Sequence, residues 1–171
     1  MNISGKTRHI CMMGLMLAVV AAISWLEHAL PQPPFLPPGF RFGLSNIVVM
    51  YCFFFKGRGS AALLNVLKSL LVVFMRGPFA GAMSFCGGMA AILTLLLLTL
   101  LFGGGLSYMA AGICGAVAHN LGQLAAASAV VRTNIFLAYL PILLVAGVVT
   151  GAVTGILLKA AIPLLDRIQK L

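Results

Sequence analysis

The sequence predicts an all-α, polytopic membrane protein with six transmembrane helices, and three observations lead to that prediction. Of its 171 residues, 62% are hydrophobic and only 8% are charged, whereas soluble domains are nearer a quarter charged. The apolar residues form runs that suit a bilayer core of roughly 30 Å, which takes about 20 residues per helix. Glycine, proline and basic residues separate the runs. We therefore expect a single transmembrane domain over residues 1–171, with the lipid bilayer as its solvent.

The first half of the chain contains three predicted helices. Helix 1 is predicted over residues 10–30, because this run is too long for a typical signal-peptide core and no clear cleavage site follows it. Pro31–Phe42 holds five prolines and cannot be helical, since proline lacks an N–H and fixes φ. Such backbone is tolerated at membrane depth only against protein or a watery cavity, so this loop could fold back over a site. Helices 2 and 3 are predicted over residues 43–55 and 60–76.

The second half of the chain contains three more predicted helices. Helix 4 is predicted over residues 79–102, between the Gly77-Pro78 pair and a run of three glycines. Helix 5 is predicted over residues 106–131 and helix 6 over residues 135–162. A basic, amphipathic tail follows helix 6.

The basic residues predict the orientation of the helices. There are 11 Lys and Arg against 2 Asp and Glu, a net charge of +9. In a soluble protein this charge would suggest nucleic acid, but basic residues in short loops between apolar runs are typical orientation signals, and no nucleic-acid partner is expected. With the N-terminus in the cytoplasm, three basic residues lie outside and seven lie inside: Lys6, Arg8, Lys56, Arg58, Lys159, Arg167 and Lys170. We expect a protein of the cell membrane with both termini cytoplasmic.

The sequence lacks the residue patterns of an enzyme. Gly5-Lys6-Thr7 matches the end of a P-loop, but the first glycine of that motif would precede the start of the chain. The two acidic residues, Glu27 and Asp166, are expected at opposite membrane faces, which leaves no carboxylate pair for acid–base catalysis and no acidic cluster for Mg²⁺. The four cysteines show no metal-ligand spacing. We expect no catalytic residues, metal or cofactor, and any active transport would need energy from another protein.

Small residues one turn apart mark two possible contact faces. Helix 1 carries Ala18-x-x-x-Ala22, and helix 6 carries Gly147, Gly151 and Gly155 at the same spacing. Helices in lipid associate by close van der Waals approach, which small residues permit. For helix 6 we favour packing within the protein, whereas the helix 1 face could equally meet a partner subunit.

Polar side chains at membrane depth mark a possible ligand site. Such groups are costly in lipid and tend to face a protein interior or a cavity, so they indicate either hydrogen bonds between helices or a binding site. Arginines are also expected on the outer side, where positive charge is disfavoured. One of them could pair with Glu27, and the others suggest an anionic ligand or contacts with lipid headgroups. The predicted ligand-binding residues are Glu27, His28, Arg41, Asn46, Lys68, Arg76, His119, Asn120 and Gln123.

Several strings of residues resemble one family. The strings LEHALP at 26–31, FGLSNI at 42–47 and AHNLGQL at 118–124, with Leu140-Pro141, resemble the Gx transporter family, also labelled heptaprenyl diphosphate synthase component I. That family is similar to the substrate-binding S components of energy-coupling factor (ECF) transporters, which are six-helix bundles. The resemblance implies that Ala18 and Ala22 dock a coupling transmembrane subunit that rests on two ATPases. It also implies an outward-facing ligand pocket capped by Pro31–Phe42.

These observations leave three hypotheses. The first is the S subunit of an ECF-type transporter for a small anionic or amphipathic nutrient or cofactor precursor. In this hypothesis Arg41, Lys68 and Arg76 supply charge, and the amides and His119 supply hydrogen bonds. The second is a non-catalytic membrane subunit linked to heptaprenyl diphosphate or quinone biosynthesis, since the Asp-rich metal sites of prenyl synthases are missing. The third is a component that supplies flavin or quinone to extracellular electron transfer, although the chain has no haem or iron–sulfur ligand set.

Overall fold

The computed structural model describes residues 5–29, 43–132 and 138–169, and this part of the chain is all helical. It contains six α-helices and a short 3₁₀ turn at Gly103–Gly105. The helices are α1 (Gly5–Ala29), α2 (Asn46–Phe55), α3 (Arg58–Arg76), α4 (Pro78–Phe102), α5 (Tyr108–Val131) and α6 (Leu140–Gln169). The predicted polytopic helical membrane protein is confirmed.

Five helices are long and apolar enough to cross a membrane, and α2 is the exception. The five are α1, α3, α4, α5 and the Leu140–Ala160 part of α6. Helix α2 has ten residues, which is a length of about 15 Å at 1.5 Å per residue, or half of the bilayer core. It starts at Asn46 rather than at residue 43, because Gly43–Ser45 form a turn in which Gly43 has a φ of +73°. Five consecutive residues of α2 are buried, Val49–Phe53, so this half-length helix is enclosed by its neighbours.

The ends of α6 also differ from the prediction. The helix begins at Leu140 rather than at residue 135, with Pro141 as its second residue. Proline is tolerated there because the first N–H groups of a helix have no partner within it. At the other end the helix continues through Pro163 to Gln169.

Glycines allow α5 and α6 to pack closely. A Cβ atom at Gly151 would lie 2.5 Å from Ile113 Cα, and one at Gly155 would lie 2.6 Å from Met109 Cα. From the opposite side, a Cβ atom at Gly112 would lie 2.4 Å from the carbonyl oxygen of Gly151. The glycine face of helix 6 is therefore used for packing within the protein, as expected.

Helix α1 lies at the edge of the bundle. Its only buried residues are Met13, Val20 and Glu27, which are spaced seven apart and form one inward stripe. Ala18 and Ala22 lie on the opposite side of the helix and are exposed. The small-residue face of α1 thus contributes nothing to packing within the described part of the protein.

Candidate functional site

One end of the bundle brings together the helix termini that carry most of the polar residues. Because consecutive helices run in opposite directions, the last turns of α1 and α3 meet the first turns of α2 and α4 there. The second half of α5 reaches the same region. These segments surround a cavity of about 40 Å³, called here the polar cavity. Its lining comprises Ser24, Glu27, His28, Gly43, Ser45, Lys68, Val72, Met75, Arg76, Ala80, Met83, Ser84, His119 and Gln123.

Six of the nine predicted ligand-binding residues line the polar cavity. They are Glu27, His28, Lys68, Arg76, His119 and Gln123. They come from three helices and share one void, as expected if polar groups at membrane depth face a cavity.

Lys68 is the most deeply placed charge of the site. Its side chain is only 3% exposed, and it projects from the buried face of α3 that also carries Leu64, Asn65 and Val72. The ammonium group donates a hydrogen bond to Oδ1 of Asn46, the first residue of α2. A buried ammonium needs hydrogen bonds and an opposite charge to offset its lost hydration. Glu27, which is also buried, supplies the negative charge in the same cavity.

Glu27 joins the end of α1 to the start of α2. Its Oε1 accepts a hydrogen bond of 2.8 Å from the backbone N–H of Leu44, two residues before α2. A carboxylate is favourable at this position because unpaired N–H groups give a helix N-terminus a partial positive charge. The predicted cap of the site, Pro31–Phe42, lies outside the described residues, and Arg41 lies within it.

His119 and Gln123 form a hydrogen-bonded pair on α5. They lie one turn apart, and Nε2 of Gln123 is 2.8 Å from Nε2 of His119. When the amide donates this bond, the imidazole is neutral and carries its proton on Nδ1. Both side chains are buried, and Gly87 of α4 makes room for them, since a Cβ atom there would lie 2.8 Å from each. Oε1 of Gln123 is buried and has no hydrogen-bond partner among the described residues.

The other two described residues of the predicted set lie elsewhere. Asn46 is next to the polar cavity through its bond with Lys68, and it lines a second cavity. Asn120 projects toward α6, where its Nδ2 donates a 2.8 Å hydrogen bond to the carbonyl of Leu143. Its position on α5 is rotated about 100° from that of His119, so it connects two helices and does not line the polar cavity.

Serines of the cavity lining were not in the predicted set. Ser24, Ser45 and Ser84 all line the polar cavity, and the hydroxyl of Ser24 is buried with no partner in the described ranges. A sequence signal for Ser24 existed, because it lies three residues before Glu27 and therefore on the same face of α1. Ser84 has no comparable signal, since polar and small residues are scattered along α4.

The second cavity is less polar and has a volume of about 30 Å³. We call it the apolar crevice. It lies between α2, α4, α5 and α6, and its lining comprises Gly43, Asn46, Val49, Met50, Gly88, Ala91, Ile92, Leu95, Gly112, Gly115, Ala116 and Thr154.

The side chains of the polar cavity are suited to contact with a polar or anionic molecule. A buried ammonium, a guanidinium at the rim, a carboxylate, an imidazole and an amide can orient a polar or anionic molecule through charge and hydrogen bonds. Within the described ranges no group of three or more His, Cys, Asp or Glu side chains could hold a metal ion.

Comparison with known proteins identifies one related family. The family model described as heptaprenyl diphosphate synthase component I matches residues 16–161, which include the described lining of both cavities. No curated protein and no solved structure matches the chain.

Proposed function

The chain belongs to the heptaprenyl diphosphate synthase component I family, and from that premise we propose that it is a non-catalytic, membrane-embedded binding subunit for uptake. Its substrate in this proposal is a small anionic or amphipathic nutrient or cofactor precursor. The observation that carries the proposal is the polar cavity, where six predicted ligand-binding residues from three helices and three serines share one void in a chain of which only 8% is charged.

The energetics of the cavity favour a role in binding over a role in stability. Ionisable groups inside a membrane protein are expensive and usually serve a function. A buried ion pair is often no more stabilising than apolar residues of the same volume. Lys68 and Glu27 are both buried. Uncharged residues would pack equally well in their places, so we attribute the two charges to recognition of a polar ligand.

The cavity must enlarge to accept a nutrient. Sites for small molecules have volumes of about 300–1,000 Å³, whereas 40 Å³ accommodates a small ion or a few water molecules. Helix α1 is the element best suited to move, because only three of its residues are buried. Breaking the contact between Glu27 and Leu44 would release the ends of α1 and α2 from each other.

The energy and the partner for uptake are proposed to come from other subunits. The exposed face of α1 that carries Ala18 and Ala22 suits close approach of another transmembrane helix. We assign this face to the coupling subunit of an ECF-type transporter, with an ATPase pair beneath it. With the N-terminus in the cytoplasm, as the positive-inside count favours, the polar cavity would open toward the outside of the cell membrane.

The test is mass spectrometry of small molecules that copurify with the protein. We expect the wild-type protein to retain a compound that Lys68→Met loses. Lys159→Met is the matched control, because Lys159 is exposed near the other end of the bundle, and it should retain the compound. Each variant must first elute as a single species with wild-type helical content. A wild-type protein without bound compound, together with normal uptake in a deletion strain, would contradict the proposal.

A second candidate function follows from the description of the family. The chain could be the non-catalytic membrane partner of a soluble prenyl diphosphate synthase, positioned where an isoprenoid product meets the bilayer. Affinity purification from membranes distinguishes the two functions. Recovery of a soluble prenyl synthase without ATPase subunits supports the second candidate, and recovery of an ATPase pair with a coupling subunit supports the first.

A further inference from the structure

The apolar crevice is a second cavity, and the function proposed for the polar cavity does not account for it. Two of its lining residues are polar, and both already have hydrogen bonds. Asn46 accepts from Lys68, and the Thr154 hydroxyl donates to the carbonyl of Thr150 at 2.8 Å. The remaining lining is Gly, Ala and larger aliphatic residues, so the crevice presents an apolar surface.

Gly115 keeps part of the crevice open without serving helix packing. The glycines Gly88 and Gly112 permit close contacts, since Cβ atoms there would lie 1.8 Å from Asn65 Oδ1 and 2.4 Å from the Gly151 carbonyl oxygen. A Cβ atom at Gly115 would meet only the side chain of Leu95, at an ordinary contact distance of 3.8 Å. Unfilled space costs the surrounding atoms their van der Waals contacts. A side chain at this position would therefore improve packing, unless the space is kept for a ligand.

The two compartments adjoin at the start of α2. Gly43 lines both of them, and Lys68 in the polar cavity bonds to Asn46 in the crevice. A Cβ atom at Gly43 would lie 2.8 Å from the Asn46 amide and 3.3 Å from the His119 ring, so only glycine fits at this position, where the two cavities meet. Because Lys68 bonds to a residue of the crevice lining, a molecule with its charged end at Lys68 would have the apolar crevice next to it.

From this arrangement we infer that the ligand is a free amphiphile with an anionic head and a short apolar group. The inference rests on the proposed function and specifies its substrate class. The head binds near Lys68 and Arg76, and the apolar group enters the crevice beside Leu95, Gly115 and Ala116. A short group is indicated because the crevice has a volume of about 30 Å³, and a free molecule is indicated because the lining comes from the facing sides of α2, α4, α5 and α6.

The experiment is a chain-length series measured by calorimetry on the full chain in nanodiscs of neutral phosphatidylcholine. The probes are inorganic phosphate and ethyl, butyl and hexyl phosphate, with a parallel series of carboxylates from acetate to hexanoate. For at least one series, each methylene that enters the crevice should raise the affinity roughly fourfold, until the crevice is full. Hexyltrimethylammonium, which has the opposite charge, should bind far more weakly than the hexyl anion.

Gly115→Val is the decisive variant, because its side chain would fill the crevice. It should reduce the ratio of hexyl-probe to shortest-probe affinity toward one. Gly59→Ala is the control for a helical glycine substitution, since Gly59 has no atom within 4 Å of its Cβ position, and it should leave the ratio unchanged. If the valine variant does not fold, Gly115→Ala, whose added methyl group makes only an ordinary contact, should lower the ratio by a smaller factor.

The possible failures are distinct. If the short anions bind but affinity does not rise with chain length, or rises equally in Gly115→Val, the crevice is not a ligand compartment and the polar site stands alone. Equal binding of the hexyl anion and hexyltrimethylammonium would show partition into lipid and would also overturn the inference. If no member of either series binds, both the inference and the proposed anion-binding function are wrong.

Discussion

Gly151→Ala tests the close packing of α5 against α6 and should destabilise the protein. The new Cβ atom would lie 2.5 Å from Ile113 Cα and 2.6 Å from the Gly112 carbonyl oxygen. Carbon atoms pack at about 3.5–4.0 Å, so the two helices would have to separate by about 1 Å. Overpacking of this kind costs about 1–3 kcal/mol. For a chain of this size, each kcal/mol lowers the melting temperature by about 2–4 °C, which gives a decrease of about 2–12 °C.

The comparison that isolates this clash is with Gly59→Ala. Both substitutions replace a helical glycine with alanine and gain up to about 1 kcal/mol of helix propensity, but only Gly151 lies against another backbone. The assay is thermal unfolding in one detergent, followed by circular dichroism. If Gly151→Ala melts at the same temperature as Gly59→Ala, the backbones of α5 and α6 are not in close contact at Gly151.

Three further predictions concern single residues. Asn120→Ala should lower the free energy of unfolding by about 1–3 kcal/mol, because the buried Leu143 carbonyl loses its donor. Ligand binding should stay intact. A melting curve and a binding isotherm check these two outcomes, and lost binding in a folded variant would place Asn120 in the site. Glu27→Gln replaces the charged acceptor of the Leu44 N–H with a neutral one. Amide hydrogen exchange at the start of α2 should therefore become faster. An unchanged exchange rate would contradict the link between α1 and α2 through Glu27. Ala18→Leu enlarges an exposed side chain and should leave the melting temperature within about 1 °C of wild type. It should abolish copurification of the proposed coupling subunit, and retained copurification would exclude this face as the docking surface.

The sequence alone predicted the membrane class and most of the fold. With so few charged residues, most of the chain must lie in lipid, and lipid requires backbone hydrogen bonds within each segment. Six helices follow from the lengths of the apolar runs and the breaks between them. Helix ends were less predictable where proline was involved, because Pro141 suits a helix start and Pro163 was accommodated inside α6.

The candidate site was predictable only as a set of residue types. Polar residues at membrane depth had to face protein or a cavity, but the sequence did not show which of them would meet. His119 and Gln123 share a face, and the structure places both at the polar cavity. Asn120 was predicted with them, yet the structure turns it toward α6, because a rotation of about 100° per residue separates adjacent side chains.

The amino-acid sequence by itself determined that the chain crosses the membrane and how many helices it forms, because hydrophobicity and backbone hydrogen bonding act along each segment separately. Only the tertiary structure decided that the short helix α2 is enclosed by its neighbours, that Lys68 is buried against Asn46, and that a polar cavity and an apolar crevice meet at Gly43. Those features depend on the rotation and spacing of the helices relative to one another. Close contacts between small residues on different helices set both quantities, and such contacts join positions far apart in the chain.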